Sequence, residues 1–184
     1  MTAARQTIRE IVVPETKPAT EWILGRPVQK VSPQRRHAVL QAALAERLRG
    51  WARGRGQVGT EWRFRITPPG EFTRPLVPDV AYLSFDRMKG LSEQDLDTPP
   101  HAPDIAVEIL SPDDRSADVE HKRQVYLAAG VRLLLIVDPG TEGIVAYDST
   151  GAHVRADRGT YTNDLFPGLE IPLLELFAEL DLPT

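Results

Sequence analysis

Glu108 stands within Pro103-Asp104-Ile105-Ala106-Val107-Glu108-Ile109-Leu110-Ser111, a run apolar enough to form a buried strand. Removing an unpaired carboxylate from water is costly, so a carboxylate at this place must be paired, protonated or bound to a metal. If a strand over residues 76–83 runs antiparallel beside one over 104–111, aligned end to end, Asp79 falls opposite Glu108. Period-two alternation then puts Asp79, Ala81 and Leu83 on the same sheet face as Ala106, Glu108 and Leu110. Facing like charges destabilise a sheet unless a cation lies between them. Oxygen donors of this kind suit magnesium, which takes one or two carboxylates together with substrate phosphates. Lys122 is the third candidate. It lies four residues after Asp118 and beside Val119, Val125 and Tyr126, so it borders the sheet-packing face of a helix. An ammonium group there can orient an attacking water and offset the charge that grows on phosphoryl oxygens during phosphodiester cleavage. The plain alternative is an Asp118–Lys122 surface pair worth a few tenths of a kcal/mol.

The elements that must position these residues follow from punctuation and periodicity. Residues 1–30, broken by Pro14, Pro18, Gly25 and Pro27, read as an irregular arm with at most a short hairpin, around Glu21–Leu24 and Val28–Val31. Residues 31–184 read as one domain. Ser32-Pro33 predicts the start of a helix running to Gly50, with His37, Leu40, Leu44, Leu48 and Trp51 on its apolar face. Val58, Thr60, Trp62, Phe64 and Ile66 alternate as a strand, with Glu61, Arg63 and Arg65 on its other side. The long connection over residues 84–103 calls for a short helix near 86–96. A helix from about Ser116 to Ala129, closed by Gly130, leads to Leu133-Leu134-Leu135-Ile136-Val137, a strand apolar on both faces. Strand, helix, strand is a right-handed crossover, which makes these two strands parallel. Residues 143–148 read as an antiparallel edge and 173–180 as a closing helix. The class is mixed α/β, a central mixed sheet flanked by helices.

The chain has 184 residues, 41% hydrophobic and 26% charged, with no cysteine, so a disulfide framework and thiolate metal sites are excluded. No apolar run approaches the roughly 18 residues of a membrane span, and residues 1–9 lack the apolar core of a signal peptide. The expectation is a cytoplasmic protein with no membrane partner. Net charge is -4, but it is divided: residues 1–75 hold 14 Lys/Arg against 6 Asp/Glu, while residues 76–184 hold 8 against 20. The basic part, with Lys30, Arg35, Arg36, Arg47, Arg49, Arg53, Arg55, Arg63 and Arg65, suits phosphates, and the acidic part suits divalent cations. Alternatively the two parts pair with each other.

Pro78-Asp79-Val80-Ala81, the Pro103–Pro112 run, Asp118, Lys122, Tyr126, Ala129-Gly130-Val131 and Val137-Asp138-Pro139 resemble, in order and spacing, the Uma-two family of restriction endonucleases. The likeness extends from about Glu21, through Lys30-Val31-Ser32-Pro33 and His37, to Phe166-Pro167-Gly168-Leu169. It implies a restriction-endonuclease-like core of the PD-(D/E)XK superfamily, whose site is Asp, then Glu-x-Lys, with magnesium. Asp79 matches the first acidic position and Glu108 the second. Leu110 stands where the superfamily has lysine, and the likeness suggests that Lys122 replaces it from the adjacent helix. Glu108 and the Ile109 carbonyl would then serve the metal beside Asp79. Glu21, Glu46 and Glu61 are unranked candidates for a further acid.

Other residues have weaker claims. His37 follows Arg35-Arg36 near a helix start and suits a phosphate, but it also heads an apolar stripe. Ser84 and Ser111 have no nucleophile elbow, the four histidines have no metal-ligand spacing, and Gly54-Arg55-Gly56 is no phosphate loop. Trp22, Trp51 and Trp62 suit base stacking or the core. The leading expectation is an endonuclease that cuts DNA with magnesium or manganese, its Asp79, Glu108 and Lys122 catalytic and its metal held by Asp79, Glu108 and Ile109. A homodimer stays open as the arrangement that cuts both strands. The competing expectation is a nuclease-fold module, catalytically inactive, that binds nucleic acid or protein. A third is a structural network in which Lys122 neutralises Glu108.

Overall fold

A computed structural model describes residues 9–151 and 153–182. The opening stretch that lacks the apolar core of a signal peptide lies, apart from Arg9, outside the described residues. The chain begins with a hairpin of β1 (Thr20–Ile23) and β2 (Arg26–Gln29), reversed at Leu24-Gly25, where both residues have positive φ. Helix α1 (Arg35–Ala52) follows. It starts after an extended Gln34 rather than at Ser32-Pro33, and it buries His37, Leu40, Leu44 and Leu48 at the expected spacing.

The predicted strand over 58–66 is two strands. β3 (Gly56–Thr60) and β4 (Phe64–Ile66) belong to different sheets, because the chain reverses at Glu61, whose φ is +51°. Trp62 folds back over Gly59, where an added Cβ would sit 3.1 Å from the indole ring. The strand predicted over 76–83 divides likewise. β5 (Arg74–Leu76) pairs with β4, and β6 (Val80–Ser84) joins β3 in the main sheet. Two short helices, α2 (Phe85–Met88) and α3 (Glu93–Asp97), fill the long connection.

The crossover is as the apolar pattern requires. β7 (Ile105–Ile109), α4 (Ser116–Ala128) and β8 (Leu133–Asp138) make a parallel unit, with Val107 beside Leu135. β9 (Gly143–Asp148) is antiparallel to β8 but is not the edge, since β10 (His153–Ala156) pairs outside it. β11 (Thr160–Thr162) and β12 (Glu170–Pro172) form a small ribbon before α5 (Leu173–Ala178). The main sheet therefore has the order β10-β9-β8-β7-β6-β3.

Helices cover both faces, which explains why β8 is apolar without alternation. One face carries Val80, Tyr82, Val107 and Leu135 into a core with α1 and α5. The other carries Ala81, Leu83, Ala106 and Leu134 against Val125 and Tyr126 of α4. No helix among the described residues is long and apolar enough to cross a membrane.

Candidate functional site

β6 and β7 pair Val80 with Val107 and Ala81 with Ala106. Continued by one residue, that register sets Asp79 beside Glu108, on the face that α4 covers. The ladder itself stops short of this point, and residues 77–79 link β5 to β6 outside any strand. Their backbone groups must find other partners. Val77 N–H donates to Glu21 Oε1 at 2.7 Å, Val77 C=O accepts from Lys30 Nζ at 2.9 Å, and Asp79 C=O accepts from Gln41 Nε2 at 2.9 Å. The interruption thus draws the β1–β2 hairpin and α1 onto the end of the sheet.

The two acids sit in unlike surroundings. Asp79 Oδ2 accepts the Ile109 N–H at 2.6 Å and lies 3.2 Å from His37 Nε2, while Oδ1 accepts from Lys30 Nζ at 2.5 Å. Its side chain is 2% exposed. Burial alone would raise its carboxyl, but the His37 hydrogen bond and the Lys30 charge hold it well below the ordinary range. Glu108 Oε1 accepts from Tyr126 Oη at 2.7 Å and Oε2 from Lys122 Nζ at 2.5 Å. Burial pushes the Glu108 carboxyl up to about 7, against the pull of Lys122 and with the push of Asp79 and Glu21. Burial would lower Lys122, yet Glu108 and Glu21 hold it above an ordinary lysine. Neighbouring acids with such divergent proton affinities are the arrangement that acid–base chemistry uses.

Of the three expected site residues, Asp79 and Glu108 meet as the register requires, and Lys122 reaches Glu108. Lys122 does not pair with Asp118, whose two carboxylate oxygens both accept from Arg26 Nη2. Glu21 enters the site, its Oε2 accepting from Lys122 Nζ at 3.0 Å. Glu61 stands at the rim, accepting from Lys30 Nζ and Gln41 Nε2, each at 3.2 Å. Glu46 is exposed on α1 and borders neither cleft described below. Trp51 and Trp62 are anchored by hydrogen bonds to Pro167 C=O and Asp97 C=O and pack against Tyr82 and Phe64. Sequence reasoning missed Lys30 as a site residue. Its place among the basic residues, in the hairpin pattern and in the Lys30-Val31-Ser32-Pro33 run does not say what the hairpin covers.

Asp79, Glu108, Ile109 and Lys122 border a cavity of about 220 Å³. A wider cleft meets it at Lys30, Val31, His37 and Asp79, and Lys17 and Arg63 also line that cleft. Among the described residues no three His, Cys, Asp or Glu side chains form a ready-made metal cage. Two carboxylates and a carbonyl are nevertheless hard oxygen donors in the number that suits magnesium, which keeps waters and substrate phosphates in its remaining positions.

A mixed sheet with helices on both faces and two facing acids, one just before β6 and one near the end of β7, defines a nuclease-like fold. The chain belongs to the Uma2 (Uma-two) family, whose model, described as "Putative restriction endonuclease", matches residues 7–183. Among solved structures it is similar to one described as "a putative nuclease belonging to DUF820" from Anabaena variabilis. The identity is 25% and the TM-score 0.80, over 91% of this chain and 94% of that one. A search of curated proteins finds no match.

Proposed function

We propose that this chain is a magnesium-dependent endonuclease that hydrolyses phosphodiester bonds of DNA, with Asp79, Glu108 and Lys122 catalytic. The observation that carries the reading is the meeting of Asp79, Glu108 and Lys122 at one cavity wall. Asp79, Glu108 and the Ile109 carbonyl would hold magnesium, or manganese in its place. When bound there, the ion supplies Lewis-acid stabilisation of phosphoryl oxygens.

The chain's own residues do the rest. Ile109 N–H and His37 fix the Asp79 carboxylate, and Tyr126 fixes that of Glu108. Glu21 and Glu108 hold the Lys122 ammonium, whose third N–H has no partner among the described residues. That N–H is the donor for an attacking water or a phosphoryl oxygen as its charge grows. Lys122 thus does the work of the lysine missing at Leu110, from the helix instead of the strand.

The test is nicking of supercoiled plasmid with magnesium and with EDTA. Asp79→Asn and Glu108→Gln should each lower the rate by about 100-fold or more, and Lys122→Met by about 100-fold, the usual loss for a removed transition-state donor. Circular dichroism should stay that of the parent. Equal nicking by parent and Asp79→Asn removes the assignment. Duplex binding with no magnesium-dependent cutting by the parent establishes the inactive module instead.

A further inference from the structure

Lys30, half-buried, and Lys122, buried, are both ammonium groups beside acids, but their hydrogen bonds differ. Lys30 Nζ has three oxygen partners, Asp79 Oδ1 at 2.5 Å, Val77 C=O at 2.9 Å and Glu61 Oε1 at 3.2 Å. All three of its N–H donors are therefore taken. Lys122 Nζ has two, which leaves one for a ligand. Two carboxylate oxygens and a carbonyl are also the donors that a hard divalent cation uses. Lys30 reaches them from the residue after β2, and its backbone N–H is tied to Ala19 C=O at 2.8 Å, so the hairpin holds it at Asp79. A divalent ion that takes Asp79 Oδ1 must displace this ammonium or sit beside a like charge.

We infer that Lys30 is the resident counter-ion of Asp79, a positioning residue that competes with the divalent cation and so sets the affinity of the site for it. The inference rests on the proposed metal-dependent reading and adds a residue that neither the acid pair nor Lys122 implies. In the metal-free protein Lys30 keeps a buried carboxylate paired. In the metal-bound protein its ammonium gives way toward the wider cleft that it also borders.

Isothermal titration with manganese tests this on the full chain as parent, Lys30→Gln, Lys30→Met, Lys30→Arg and Asp79→Asn. Lys30→Gln and Lys30→Met should bind manganese about tenfold tighter than the parent or more, because the competing charge is gone while Asp79 remains. Lys30→Arg keeps the charge and should bind no tighter. Asp79→Asn should bind none. Thermal unfolding supplies a second readout: Lys30→Gln should have a lower Tm than the parent in EDTA and a larger rise on adding manganese. Lys30→Gln keeps hydrogen-bonding capacity, so it serves if Lys30→Met does not fold. Equal affinities for parent and Lys30→Gln, with binding still lost in Asp79→Asn, overturn the role of Lys30 and leave the metal reading standing. No manganese binding by any of these proteins overturns both.

Discussion

Asp79 and Glu108 are neighbouring acids with opposite proton affinities, and the cause is the number and kind of donors that each meets. Asp79 receives a backbone N–H, His37 and Lys30, whereas Glu108 receives one phenol and one ammonium in a buried setting. Stability should therefore depend on pH through Glu108. Its carboxyl titrates near 4.5 when unperturbed and about 7 in the fold. Below 4.5 it is protonated in both the folded and unfolded states and adds no pH dependence. Between 4.5 and 7 the unfolded chain releases a proton that the fold retains, so stability falls as pH rises, and above 7 the loss is complete. The loss is on the order of 3 kcal/mol. Glu108→Gln keeps the shape without the titration, so urea midpoints of parent and variant should diverge across that window. Parallel midpoints would show that Glu108 is not the group responsible. Asp79 has the opposite sign: its contribution is present above its ordinary range and fades only in strong acid.

At the scale of elements, the readable parts were those whose pattern is local. Leu133–Val137, apolar throughout, declares a strand covered on both faces, and the helix before it fixes the parallel crossover. From these follows the reach of Lys122, whereas the β6–β7 register rests on the separate assumption that the two strands align end to end. The break in the 58–66 alternation was not readable, because the reversal falls on Glu61, a residue that gives no turn signal, and Trp62 continues the alternating pattern. Glu21 stayed unranked and Lys30 unplaced for another reason. Their partners lie at residues 77–79, and nothing local to the hairpin says that it docks there. β3 depends on a close approach that only glycine allows. A Cβ at Gly56 would meet Leu83 C=O at 2.2 Å and Tyr82 Cε2 at 2.6 Å. Gly56→Ala should destabilise the protein by about 1–3 kcal/mol through overpacking at the β3–β6 pairing. Chemical denaturation checks it: an unchanged unfolding midpoint would mean that the edge strand yields freely.

Over the whole molecule the basic and acidic parts of the chain are partly spent on each other. Arg26 pairs with Asp118, Lys30 with Asp79, Arg36 with Glu142, Arg47 with Glu175 and Arg65 with Asp95, each joining the basic first 75 residues to the acidic remainder. The charge division is thus internal in part, and those five basic residues are not free to meet a phosphate backbone. Arg63 is different. It makes no ion pair among the described residues, and it borders the wider cleft that leads to Asp79. On the proposed reading, a guanidinium so placed would contact a phosphate of a strand entering the site. Each neutralised phosphate contributes about 0.9 to the slope of log affinity against log salt for duplex DNA. In the uncut background of Asp79→Asn, Arg63→Ala should therefore weaken duplex binding at every sequence and reduce that slope by about 1. Arg36→Ala, which removes a charge already paired with Glu142, should leave the slope nearly unchanged. Fluorescence anisotropy with a labelled duplex over a salt series reads both. If Arg63→Ala keeps the parental slope, the strand does not enter through the wider cleft, and the remaining approach to Asp79 is from the Arg115 and Arg123 side of the smaller cavity.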